Sequence, residues 1–106
     1  MKLVRLENIA TFITPKGITA KKILENKSFV IMNILLKSGE VLEKHEASVD
    51  IFFYVMKGKG IIQIGNEEEY IGATDIVFSP KGTPHGLKTL PGEELQVLVV
   101  KNPISG

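Results

Sequence analysis

The chain has no cysteine, no tryptophan and only two histidines. Without cysteine there is no disulfide staple, no thiolate metal site and no cysteine nucleophile. That absence suits a reducing compartment. Charge of one sign is not in excess either: 13 Lys and Arg stand against 12 Asp and Glu, a net charge of +1. The lysines are scattered, with acids between them. Grip on a phosphate backbone calls for a clustered basic surplus, so no nucleic-acid partner is expected. Long hydrophobic runs are missing as well. The longest, Ile51 to Met56, is far short of the roughly 20 residues a membrane helix needs. Met1 to Asn8 carry Lys2, Arg5 and Glu7 without the apolar stretch of a signal peptide. The expectations are no membrane partner and a cytoplasmic location.

What is present is the balance of an ordinary globular protein, 43% hydrophobic and 24% charged over 106 residues. Residues 1–106 are expected to make one domain. Short β-type segments recur between Gly, Pro, Asn and Asp. They are Phe29 to Leu36, Ile51 to Met56, Ile61 to Ile64, Tyr70-Ile71, Asp75 to Phe78 and Leu95 to Val100. Strands at such spacing predict an all-β sandwich or antiparallel barrel. Several are apolar without interruption, which predicts cover on both faces and hence a homodimer. Ala20 to Asn26 reads as a short helix capped by Thr19, with a strand as the alternative. Gly58-Lys59-Gly60 predicts a tight hairpin. Gly65-Asn66 predicts a second turn, and Glu67-Glu68-Glu69 an exposed one.

The histidines fall in two windows. One runs from Gly39 through His45 to Gly58; the other is Asp75 to Gly86, with Pro80-Lys81-Gly82-Thr83-Pro84-His85 at its centre. These windows resemble the two motifs of the cupin family. Gly39, His45 and Gly58 match the first motif, G-x5-H-x-H-x3-4-E-x6-G. Pro80, Gly82 and His85 match P-x-G-x2-H of the second. The resemblance implies a jelly-roll barrel, the double-stranded β-helix. In the family two His and a Glu of the first motif, with the His of the second, hold a divalent metal. Here Ala47 stands at the second His position, Ile51 at the Glu, and Thr89 at the Asn that follows the last His.

The resemblance therefore carries over only His45 and His85 as ligands of one Zn, Mn, Fe or Ni ion, or of none. Asp50, one position before the missing Glu, is the candidate third ligand. It would have to turn inward through a β-bulge, since a one-residue shift flips a side chain to the other face. Glu43 and Glu46 are alternatives. Ala47, Ile51, Phe53 and Gln63 are the expected pocket residues. The leading functional expectation is a barrel that binds a small polar ligand, with or without metal. The alternatives are a metal-free sugar-type isomerase or epimerase with a histidine general base, and a non-catalytic ligand-sensing module.

Overall fold

The computed structural model describes residues 1–102. After a single 3-10 turn, Leu6–Asn8, nine strands follow. They are β1 (Phe12–Ile13), β2 (Thr19–Glu25), β3 (Val30–Leu36), β4 (Val41–His45), β5 (Ile51–Ile64), β6 (Glu67–Gly72), β7 (Ile76–Ser79), β8 (His85–Thr89) and β9 (Leu95–Lys101). All pairings are antiparallel. The order is β1-β2-β3-β9-β5-β8-β4, with β6 and β7 also paired to β5. This is an all-β jelly roll. Among the described residues no helix is long and apolar enough to cross a membrane.

The expected hairpin at Gly58-Lys59-Gly60 is not formed, because β5 runs straight through it. From Ile51 to Gly58, β5 pairs with β7 and β9; from Lys59 onward it pairs with β6 and β8. One long strand thus turns the corner from one sheet to the other. Such corners are made by bulges and glycines. The register slips between Val55 and Lys57, and Gly58 adopts φ +89°. A Cβ on Gly58 would overlap the Glu94 carbonyl, so no other residue fits the corner. The hairpin comes at Gly65-Asn66 instead, where β5 turns into β6.

Two other expectations change. Thr19–Glu25 is strand β2, not a helix. Its register slips between Lys22 and Leu24, which breaks the period-2 alternation that would have marked it as a strand. Glu67-Glu68-Glu69 is the exposed start of β6 rather than a turn.

The core lies between the two sheets. Leu36, Val55, Leu87, Leu95 and Val97 are completely buried, each contributing about 1.5–3 kcal/mol relative to exposure. Ile51, Phe53 and Ile62 join them.

Candidate functional site

β4 and β8 pair so that Leu42 faces Leu87 and His45 faces His85. Three steps on β4 match two on β8, so one extra residue is bulged out at Glu43-Lys44. The bulge has a chemical consequence. Leu42 borders the barrel interior, and plain alternation would turn His45, three residues on, outward. The extra residue turns it back in. Opposed residues of an antiparallel pair bring their Cβ atoms within about 5.5 Å, and the two imidazole centroids lie 4.5 Å apart at 61°. Gly86 makes the bulge feasible: a Cβ there would meet Leu42 O at 2.8 Å and Lys44 N at 3.0 Å.

The histidines border a cavity of about 250 Å3. Its walls are largely apolar: Ile18, Met32, Ile34, Leu42, Phe53 and Val99. At the mouth lies the β1–β2 turn with Thr14, Pro15 and Lys16. That turn is closed by Gly17 N–H donating to Thr14 O and Ile18 N–H to Thr14 Oγ1. Lys101 also borders the cavity, on the inward face of β9 two residues beyond Val99. His85 is buried, packs edge-on against Phe53 with centroids 5.3 Å apart, and its Nδ1 has no hydrogen-bond partner. Burial, and then the positive charge of His45, Lys101 and Lys16, lowers its pKa to about 4, against a weak opposing pull from the Thr83 main chain. At neutral pH it is an uncharged imidazole. His45 Nδ1 lies 3.3 Å from Glu43 O, a contact that fits an Nδ1–H donor.

The family profile of the Cupin domain matches residues 32–101, well over half of the chain, from within β3 to the end of β9. The chain belongs to the cupin family. An uncharacterized protein of Methanocaldococcus jannaschii, MJ1618, is 25% identical over 97% of this cupin and 89% of its own length. The polyketide cyclase RemF of Streptomyces resistomycificus superposes with a TM-score of 0.88 at 24% identity, over 97% of this cupin and 80% of RemF. An RmlC-like cupin of Shewanella frigidimarina also reaches 0.88, at 15% identity over 99% and 93%. KdgF of Halomonas sp. reaches 0.85 at 17% identity, over 96% and 94%. At these identities the solved structures establish the fold.

Of the residues expected from sequence, the cupin barrel brings His45, His85 and Phe53 to one cavity. Asp50 goes elsewhere. No bulge falls at the start of β5; the bulge sits on β4 instead. Asp50 Oδ1 accepts from Lys81 N–H at 2.8 Å. With Gly82 N–H donating to Ala47 O, this bond fixes the turn that presents His85. Ile51 is buried in the core, and Ala47 packs against it. Gln63 faces away, because its neighbour Ile62 takes the inward position, and Gln63 Nε2 donates to Glu68 Oε1 at 2.6 Å. Neither Ala47, Ile51 nor Gln63 borders the histidine cavity. Thr89, at the family's Asn position, accepts from Gly39 N–H and donates to Glu40 O. Sequence reasoning missed Lys101, Lys16, Met32 and Leu42. Lys101 continues the inward series Leu95, Val97, Val99, an order visible only in the burial pattern of β9.

Proposed function

We propose that this cupin binds a small molecule with an apolar body inside the open end of its barrel, with a polar end toward His45 and His85. The observation that carries the reading is one apolar cavity bordered by both histidines of the chain. Pockets with few converging polar groups on apolar walls are the usual form of a ligand site. The volume sets the size: a water's share of liquid is roughly 30 Å3, so the ligand is much smaller than a drug. The apolar walls favour a less polar ligand than the sequence suggested. Benzene and hexanol serve as test ligands in thermal-shift assays. A rise in Tm that disappears in a cavity-filling Val99→Phe variant is expected; no shift in the parent protein contradicts the reading.

The metal that the family implies is a poor match for these residues. Two imidazoles are half of the usual donor set. The other two positions are Ala47 and Ile51, which serve packing. Among the described residues no three His, Cys, Asp or Glu side chains group into a metal site. Two lysines border the same cavity and oppose a cation. Added Zn, Mn, Ni or Fe is expected to leave Tm nearly unchanged.

A second reading, metal-free acid–base catalysis, is favoured by the His45 geometry. An Nδ1–H held on Glu43 O leaves Nε2 as the basic nitrogen of the neutral ring. His85, lowered to about 4, is too weak a base at neutral pH. Under this reading His45→Gln abolishes turnover of a bound substrate, whereas His85→Gln retains part of it.

The partner we propose for the outer surface is a second copy of the chain. Register places Ile31, Val100, Phe52 and Phe78 in one row across four strands, and Asn33, Leu98, Tyr54 and Ile76 in the next. Phe52, Phe78 and Ile76 are exposed there, and neither row carries a charge. A patch that is mostly apolar and carries no charge suits a self-complementary two-fold contact. Light scattering is expected to give a dimer that Phe78→Ser converts to monomer; a monomer for the parent chain contradicts it.

A further inference from the structure

The cavity is apolar in its walls and one-sided in its charge. Four nitrogen-bearing side chains border it, His45, His85, Lys16 and Lys101, and no Asp or Glu does. Neither lysine has a counter-ion among the described residues, where the two ion pairs are Lys22–Glu25 and Lys88–Glu68. Lys101 is the more telling of the two. It occupies an inward position on β9, opposite the buried Ile51 and in series with Val99. A half-buried lysine on the inward face of a strand, with no carboxylate paired to it among the described residues, offers its charge to an anion that enters the cavity. Lys16 sits on the turn at the mouth, where an entering ligand passes. Nearly equal numbers of acids and bases in the chain make this local surplus a matter of placement, not of composition.

Resting on the ligand-binding reading above, we infer that the ligand is a small organic anion: its apolar body lies against Met32, Ile34 and Val99, and its anionic group meets Lys101 and Lys16 beside the histidines. A neutral imidazole at His85 supplies a hydrogen bond without demanding a second charge. Exclusion follows from the same arrangement. An ammonium ligand of equal shape meets only like charge.

Benzoate, benzamide and benzylamine share one ring and differ in the charge of the substituent. Isothermal titration of the purified full chain with each is the test. Benzoate is expected to bind at least about tenfold more tightly than benzamide, the scale of one charge-assisted hydrogen bond, and benzylamine not measurably. Lys101→Met is expected to remove most of the benzoate advantage while leaving benzamide affinity in place; Lys16→Met removes a smaller part. Circular dichroism of both variants separates loss of charge from loss of fold. Benzamide binding as well as benzoate, or a benzoate advantage unchanged in both variants, overturns the anion inference and leaves the ligand-binding reading standing. Failure of benzoate, benzamide and benzene alike overturns both.

Discussion

One barrel has two unlike ends. On four strands, a step of two residues, about 6.6 Å, passes from sealed core to open cavity. Leu36 leads to Ile34 and Met32 on β3, and Val97 to Val99 and Lys101 on β9. Val55 leads to Phe53 on β5, and Leu87 to His85 on β8. The first member of each series is completely buried. The later members border the cavity. Strand period and inward orientation are the same at both ends. The difference is polarity, since His85 and Lys101 stand only at the cavity end, together with the turn of Thr14, Pro15 and Lys16 that borders that end. Stability is therefore expected to concentrate in the sealed end and binding in the open one.

The sharpest way to break that division is a truncation at the sealed end. Leu87→Ala is expected to lower stability by about 2–5 kcal/mol in chemical denaturation, with ligand affinity per folded molecule unchanged. An equal loss of affinity would mean the two ends are not separate. The junction between them comes next. Gly86→Ala forces a methyl group against Leu42 O and Lys44 N, and is expected to destabilise by about 1–3 kcal/mol. It should also disturb His45, because the bulge that turns His45 inward lies at that contact. Unchanged His45 ring shifts by NMR would contradict this account of the bulge.

A third effect separates the ends by pH. The folded-state pKa of His85 is lowered from 6.5 to about 4. Above 6.5 the ring is neutral in both folded and unfolded chains and stability is unaffected. As pH falls from 6.5 toward 4, the unfolded chain takes up the proton first, so stability drops, and the loss levels off below 4. Relative to His85→Leu, the parent protein is expected to lose up to about 3 kcal/mol over that window. Parallel pH profiles for the two proteins would contradict it. The smallest effect is outside: Gln63→Ala is expected to change stability by no more than about 0.5 kcal/mol and leave benzoate binding unchanged.

The fold was legible because its signals are local. Turn residues separated the segments that became β3, β6, β7 and β9, and both histidine windows carried the spacing of known motifs. What stayed hidden depends on parity. A single bulged residue inverts every inward assignment after it, and nothing in Glu43-Lys44 announces one. The same logic concealed β2, whose slip at Lys22–Leu24 makes Lys21-Lys22-Ile23-Leu24 resemble a helical turn. Asp50 and Gln63 were counted toward the cavity for want of register; in the fold they hold the Lys81 main chain and the Glu68 carboxylate. Lys101 was masked by its neighbours. With Leu98 and Val100 apolar on the outer face, the alternation in Leu95 to Lys101 disappears from the sequence and reappears only in the burial pattern.

A bromine atom locates a ligand without reference to any model of the site. Crystals soaked in 4-bromobenzoate and measured at the bromine edge are expected to show one anomalous peak inside the barrel, among Met32, Ile34 and Val99, with the carboxylate on the side of Lys101 and His85. A barrel without bromine, or a peak confined to the outer face beside Phe52 and Phe78, would contradict the assignment of binding to the open end.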